Sequence, residues 1–180
     1  MVALLTCLLS SAWAGKRPPA HFVATFVQTR TLPGFEEPLT SHGLLRVSKA
    51  EGFYWEILKP YHYVFAMNDG KAYEELPDGT RRVLKADETP WLRMVQRIFV
   101  NALSGNRGRI ERWFEVKVEP LEHGRHVTLL PRAEAMAQVI ERIEVTENIA
   151  GQPRYLEIEQ ASGARMVIRF TPADNDAEPP

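Results

Sequence analysis

From Leu44 onward, apolar and polar residues alternate in short runs with a period of two, which is the signature of strands with one buried face. Leu45 and Val47 alternate with Leu44 and Arg46. Phe53, Trp55 and Ile57 alternate with Tyr54, Glu56 and Leu58, and the run from Tyr61 to Met67 places Tyr63, Phe65 and Met67 on one face. Asn68-Asp69-Gly70-Lys71 predicts a tight hairpin, because Asp-Gly accepts positive φ angles, and Ala72–Leu76 returns from it. Pro77-Asp78-Gly79-Thr80 turns the chain again into Arg81–Lys85. The second half repeats the pattern over Trp113–Glu119, His126–Leu130, Val139–Val145, Tyr155–Glu159 and Ala164–Phe170. In the last of these Met166, Ile168 and Phe170 share a face; in Val139–Val145 the apolar face is broken by Glu141.

Two segments read as helices. Pro19 to Arg30 opens with a first-turn proline, and Phe22, Val23 and Phe26 recur at helical spacing. Thr89 and Pro90 can cap and open a second helix, whose stripe holds Trp91, Leu92, Val95, Ile98, Phe99, Ala102 and Leu103 before Gly105 ends it. Nine or ten strands with short connections require antiparallel neighbours. A sheet that long curls into a barrel or splits into a sandwich. Two amphipathic helices favour a curled sheet with helices over one face.

Composition narrows the function classes. The 180 residues suit one domain, and a net charge of -1 gives no basic excess for nucleic acid. Residues 1–14 carry no charge, run Val2-Ala3-Leu4-Leu5-Thr6-Cys7-Leu8-Leu9 and end in Ser11-Ala12-Trp13-Ala14, an A-x-A pattern. They read as a signal peptide, without a basic start and shorter than the ~20 residues of a membrane span. Its removal would take Cys7, the single cysteine, and with it disulfide or thiolate chemistry. The domain then covers 15–172, and 173–180 is an acidic, proline-rich tail expected to be disordered.

No catalytic constellation emerges. His123 and His126 flank Gly124 in an expected turn, a poor frame for a metal. Asp69, Glu74 and Glu75 read as turn and edge charges; Gly105-Asn106-Arg107-Gly108 lacks the G-K-[ST] of a phosphate loop. Arg81, Arg82 and Lys85 form a small basic group, more simply a solvated strand edge than a docking patch. No metal, cofactor or enzymatic activity is expected.

Several short stretches occur in a telling order: Phe22-Val23-Ala24-Thr25-Phe26-Val27-Gln28, Gly43-Leu44-Leu45, Phe53-Tyr54-Trp55-Glu56 before Lys59-Pro60, Asp69-Gly70-Lys71, Leu129-Leu130-Pro131-Arg132, and Phe170-Thr171-Pro172. In this order they resemble the outer-membrane lipoprotein carrier proteins, the LolA-like family, over roughly residues 20 to 172. The resemblance implies a mainly β protein: an incomplete, half-open antiparallel barrel of about 10–11 strands, with an N-terminal helix and a central helix as lid. It implies a periplasmic, monomeric carrier that takes the acyl chains of a lipoprotein or other lipidated cargo from an inner-membrane exporter to an outer-membrane acceptor. Phe26, Phe53, Trp55, Ile57, Phe65, Met67, Met166, Ile168 and Phe170 would then line the cavity, and Val95, Ile98 and Phe99 would cover it. Without the resemblance the same residues read first as a sealed core, because sequence does not distinguish a cavity lining from a filled interior. Where the family has Arg-Pro, this chain has Lys49-Ala50, so the candidate lid latch is a lysine, without the planar donor fork of arginine. That departure leaves room for a glycolipid or other acylated cargo. A rival reading is an exported domain of the same fold that senses a lipid or protein without transporting it; a lipid-modifying enzyme ranks third.

Overall fold

The computed structural model describes residues 21–48, 52–68, 71–84 and 111–173. They form one antiparallel sheet of eleven strands: β1 (His21–Thr31), β2 (Leu39–Ser48), β3 (Gly52–Lys59), β4 (Tyr63–Asn68), β5 (Lys71–Glu75), β6 (Arg81–Leu84), β7 (Phe114–Leu121), β8 (Gly124–Pro131), β9 (Ile140–Asn148), β10 (Pro153–Gln160) and β11 (Arg165–Pro172). The order is β6-β5-β4-β3-β2-β1-β11-β10-β9-β8-β7. Two meanders, each built from hairpin neighbours, are joined where β1 pairs with β11, so the chain's first and last described strands sit at the centre. Among the described residues β6 and β7 are the two edge strands, and the sheet is open rather than a closed barrel. One helical turn, α1 (Glu134–Ala137), lies among the described residues; it packs on β8 and β9 and buries Met136.

The expected helix over Pro19–Arg30 is corrected: from His21 onward the segment is β1. Phe22 and Phe26 are four apart, a spacing that a helix and a strand both place on one face. The positions between decide the matter. Ala24 is buried beside the two phenylalanines, whereas Thr25 and Val27 are exposed on the other side. Val23, Thr25, Val27, Thr29 and Thr31 are β-branched, stiff at χ1 and suited to a pleated surface. The central helix over Thr89–Leu103, the signal segment, Lys49 and the turn residues Asp69 and Gly70 lie outside the described residues. The register around that turn is described: Asn68 pairs with Lys71, which leaves a two-residue connection.

The break at Glu141 resolves as a bulge. Gln160 pairs with Ile140 and Glu159 with Arg142, so Glu141 has no opposite number. The extra residue turns Ile140 inward, to 1% exposure, and leaves Val139, expected inward, 52% exposed. From Ile143 the alternation proceeds as read, with Ile143 and Val145 buried.

Inward residues from all eleven strands belong to, or pack against, one buried apolar cluster with Met136; β6 contributes only Leu84, which packs against it. Fully burying side chains of this size contributes roughly 1.5–3 kcal/mol each, so the shared face is the main stabiliser of the sheet.

Candidate ligand-binding face

The register places the inward side chains in rows across the strands. Met67, Phe53, Val47 and Phe22 follow one another from β4 to β1. Phe65, Trp55, Leu45 and Ala24 form the next row. Tyr63, Ile57, Gly43, Phe26 and Phe170 form a third, which crosses onto β11. On the other half, Ile168, Leu156, Val145, Val127 and Val118 run from β11 to β7, with Met166, Ile158, Ile143, Leu129 and Val116 beside them. The face therefore has an aromatic half on β1–β4 and an aliphatic half on β7–β11.

The aromatic half is stacked. The Phe26 ring lies 3.9 Å from that of Trp55 at 23°, Trp55 lies parallel to Phe53 at 6.5 Å, and Phe65 meets Phe53 edge-on at 6.1 Å. Phe26 and Trp55 stand on strands separated by β2, and they meet because the intervening inward residue is Gly43. A Cβ there would lie 2.3 Å from Phe26 Cζ. Of the expected lining, Phe26, Phe53, Trp55, Ile57, Phe65, Met67, Met166, Ile168 and Phe170 all lie on this face, each 7% exposed or less. Lys49, Val95, Ile98 and Phe99 lie outside the described residues.

Polar groups on the same face were not anticipated. Across from Val145's neighbour Glu147, Arg125 forms an ion pair through Nη2 and donates from Nε at 2.5 Å. Both partners are largely buried, where a charge is costly unless it is paired and hydrogen-bonded. Between β4 and β5, Tyr63 donates its hydroxyl to Glu74 at 3.2 Å, and burial together with that carboxylate pushes the Tyr63 hydroxyl well above the usual phenol range. At the opposite end from Arg125, Gln28, Arg30, Ser41 and Gln160 fall on the inward positions of β1, β2 and β10. The alternation Phe22-Ala24-Phe26-Gln28-Arg30 carried the signal for two of them, once read with a period of two.

The remaining candidate chemistry disperses. Arg81 and Arg82 point to opposite faces. Arg81 pairs with Glu75 at 3.2 Å and lies 4.3 Å from the Tyr73 ring centroid, while Arg82 stands opposite Glu74. His126 sits beside Thr146 at 3.3 Å, and exposed His123 lies near Glu122. Among the described residues no three His, Cys, Asp or Glu side chains converge as a metal site would need. A cleft of about 220 Å³ beside Leu121, Arg125 and Ile149 is smaller than the ~300 Å³ at which small-molecule sites begin.

No family model matches the chain, and no curated protein matches it. Solved structures are similar to it. A LolA superfamily protein from Nitrosomonas europaea is 10% identical, over 98% of this chain and 94% of that one, with a TM-score of 0.45. The MucA/MucB complex of Pseudomonas aeruginosa gives 13% identity over 98% of this chain and 58% of that one, TM-score 0.48. The Mycobacterium tuberculosis lipoprotein LppX gives 12% over 94% and 93%, TM-score 0.45. Identities and TM-scores this low carry no argument about function.

Proposed function

We propose that the chain is a periplasmic carrier that lays the acyl chains of a lipoprotein, or of a related lipidated cargo, on the apolar face of its open sheet and shuttles it toward the outer membrane. The observation that supports this most is the continuous two-part face itself: stacked aromatics on one half, two unbroken aliphatic rows on the other, on a sheet whose edges do not meet. Each CH₂ withdrawn from water contributes about 0.8 kcal/mol. A carrier must offer apolar area on that scale with few directional contacts, so that cargo can leave again. Ile, Val and Leu rows provide area without direction, and Met67 and Met166 adapt to irregular chains. On this reading Val95, Ile98 and Phe99 belong to the cover over the face, Lys49 holds that cover, and residues 1–14 direct export. An inner-membrane exporter supplies the cargo, an outer-membrane acceptor removes it, and no bond is made or broken.

The test is binding of N-phenyl-1-naphthylamine, whose emission rises in apolar surroundings, followed by displacement with a triacylated lipopeptide. The wild type is expected to bind the probe and release it to the lipopeptide. Phe53→Glu, confirmed as folded by circular dichroism, is expected to bind at least about tenfold more weakly, the ~1.4 kcal/mol that a misplaced charge easily exceeds. Equal binding by the two proteins, or no displacement, would count against the carrier reading.

A further inference from the structure

Buried donors in proteins almost always have acceptors, and one left without is destabilising. Two donors on the candidate face break this rule. Arg30 Nε and Gln160 Nε2 are buried and have no acceptor among the described residues. Arg30 stands directly opposite Met166 on β11. On the far side of β11, Gln160 pairs with buried Ile140, and its backbone N–H donates to Ala164, two residues before Met166 and on the same face. The two donors therefore stand on the two strands that enclose β11, Arg30 level with Met166 and Gln160 level with Ala164. Gln28 and buried Ser41 occupy the adjoining row. Across the ladder from Arg30 the inward neighbours are Leu39 and Met166, both without charge.

A guanidinium and an amide NH₂ at the end of an apolar face offer what an oxygen acceptor needs. Arginine matches carboxylate and phosphate oxygens with parallel donors, and it stays charged at any accessible pH. We propose that this end of the face binds the oxygen-bearing head of the cargo, a carboxylate, phosphate or ester oxygen attached to the acyl chain. The hydrocarbon then runs along the Met166–Ile158–Ile143 and Ile168–Leu156–Val145 rows. The inference rests on the carrier reading and adds polarity to it: the ligand has a fixed direction, head at Arg30 and Gln160.

Four ligands with one hydrocarbon chain test it: oleate, oleyl phosphate, methyl oleate and the parent octadecene, each displacing N-phenyl-1-naphthylamine from the full chain. Wild type is expected to bind oleate and oleyl phosphate at least about tenfold more tightly than the hydrocarbon, the scale of one charge-assisted hydrogen bond. Arg30→Met is expected to erase that preference while leaving octadecene binding unchanged, and Gln160→Leu to reduce it. A loss confined to the two anions assigns Arg30 to a charged head; an equal loss for methyl oleate assigns it to an ester oxygen. In the ligand-free protein both variants should melt no lower than wild type, because no bond is removed. If both melt lower, or if the variants keep the preference, the donors are engaged within the protein and the inference falls. Equal binding of all four ligands by wild type sinks the inference alone, whereas displacement of the probe by none of the four sinks the carrier reading.

Discussion

At the scale of single residues, Gly43 sets the geometry of the aromatic half. Its missing side chain leaves room for the Phe26 ring to cross β2 and reach Trp55; a Cβ would meet Phe26 Cζ at 2.3 Å and the Glu56 carbonyl oxygen at 2.0 Å. The backbone oxygen cannot swing aside as a side chain can, so Gly43→Ala must shift the strand pair as well as the ring. It is expected to cost about 1–3 kcal/mol, the range for overpacking a tight site. Chemical denaturation gives the cost, and near-ultraviolet circular dichroism should show the Phe26–Trp55 stack altered. An unchanged midpoint would mean that the ring does not depend on Gly43. The stack partners were legible in the sequence as alternating aromatics, but nothing local marks Gly43 as the residue between them. That role needs the pairing of β2 with both β1 and β3.

At the scale of elements, the outer face of β9–β11 is held by charge. Glu157 is buried on that face; it accepts hydrogen bonds from Arg165 and Tyr155, and Arg142 nearby bridges Glu144 at 3.3 Å and Glu159 at 3.0 Å. The Arg165 guanidinium holds the Glu157 carboxyl below its usual value of 4.5, against the opposing effect of burial. A carboxyl whose folded value lies below its unfolded one stabilises the protein above the unfolded value, and that contribution is lost as the pH falls through the folded one. Glu157→Gln is therefore expected to cost about 1–2 kcal/mol at neutral pH, the worth of a charged hydrogen bond. The difference should shrink as the pH drops below 4.5. Melting curves of both proteins from neutral pH to pH about 3 check this; a gap that stays constant would mean Glu157 is not held as its partners imply. Ten strands were readable at this scale, most of them from a period of two held over several residues between turn signals. β1 was not, because two phenylalanines four apart satisfy both periods, and only the β-branched Val23, Thr25 and Val27 between and beside them favour the strand. Val139 was misplaced for a different reason: a bulge shifts the phase of a strand by one residue, and its position depends on the partner strand.

At the scale of the whole molecule, the sheet joins its ends rather than its middle. β1 bridges the two meanders by pairing with β11, more than a hundred residues away, and no hairpin signal announces such a contact. The aromatic and aliphatic rows were partly legible, since each comes from alternation within one strand. The polar end was not, because Arg30 and Gln160 share one end of a face only through that long-range pairing. The same pairing builds the one continuous oily face on which we propose that a fatty chain lies. Trp55 lies in the middle of its aromatic half at 3% exposure. Trp13, Trp91 and Trp113, the other three tryptophans, can be replaced by phenylalanine, and the remaining fluorescence titrated with a stearate brominated along its chain, which quenches only on contact. The account predicts saturable quenching of Trp55 at one ligand per chain, reversed by a triacylated lipopeptide; emission unchanged at saturating ligand would contradict it.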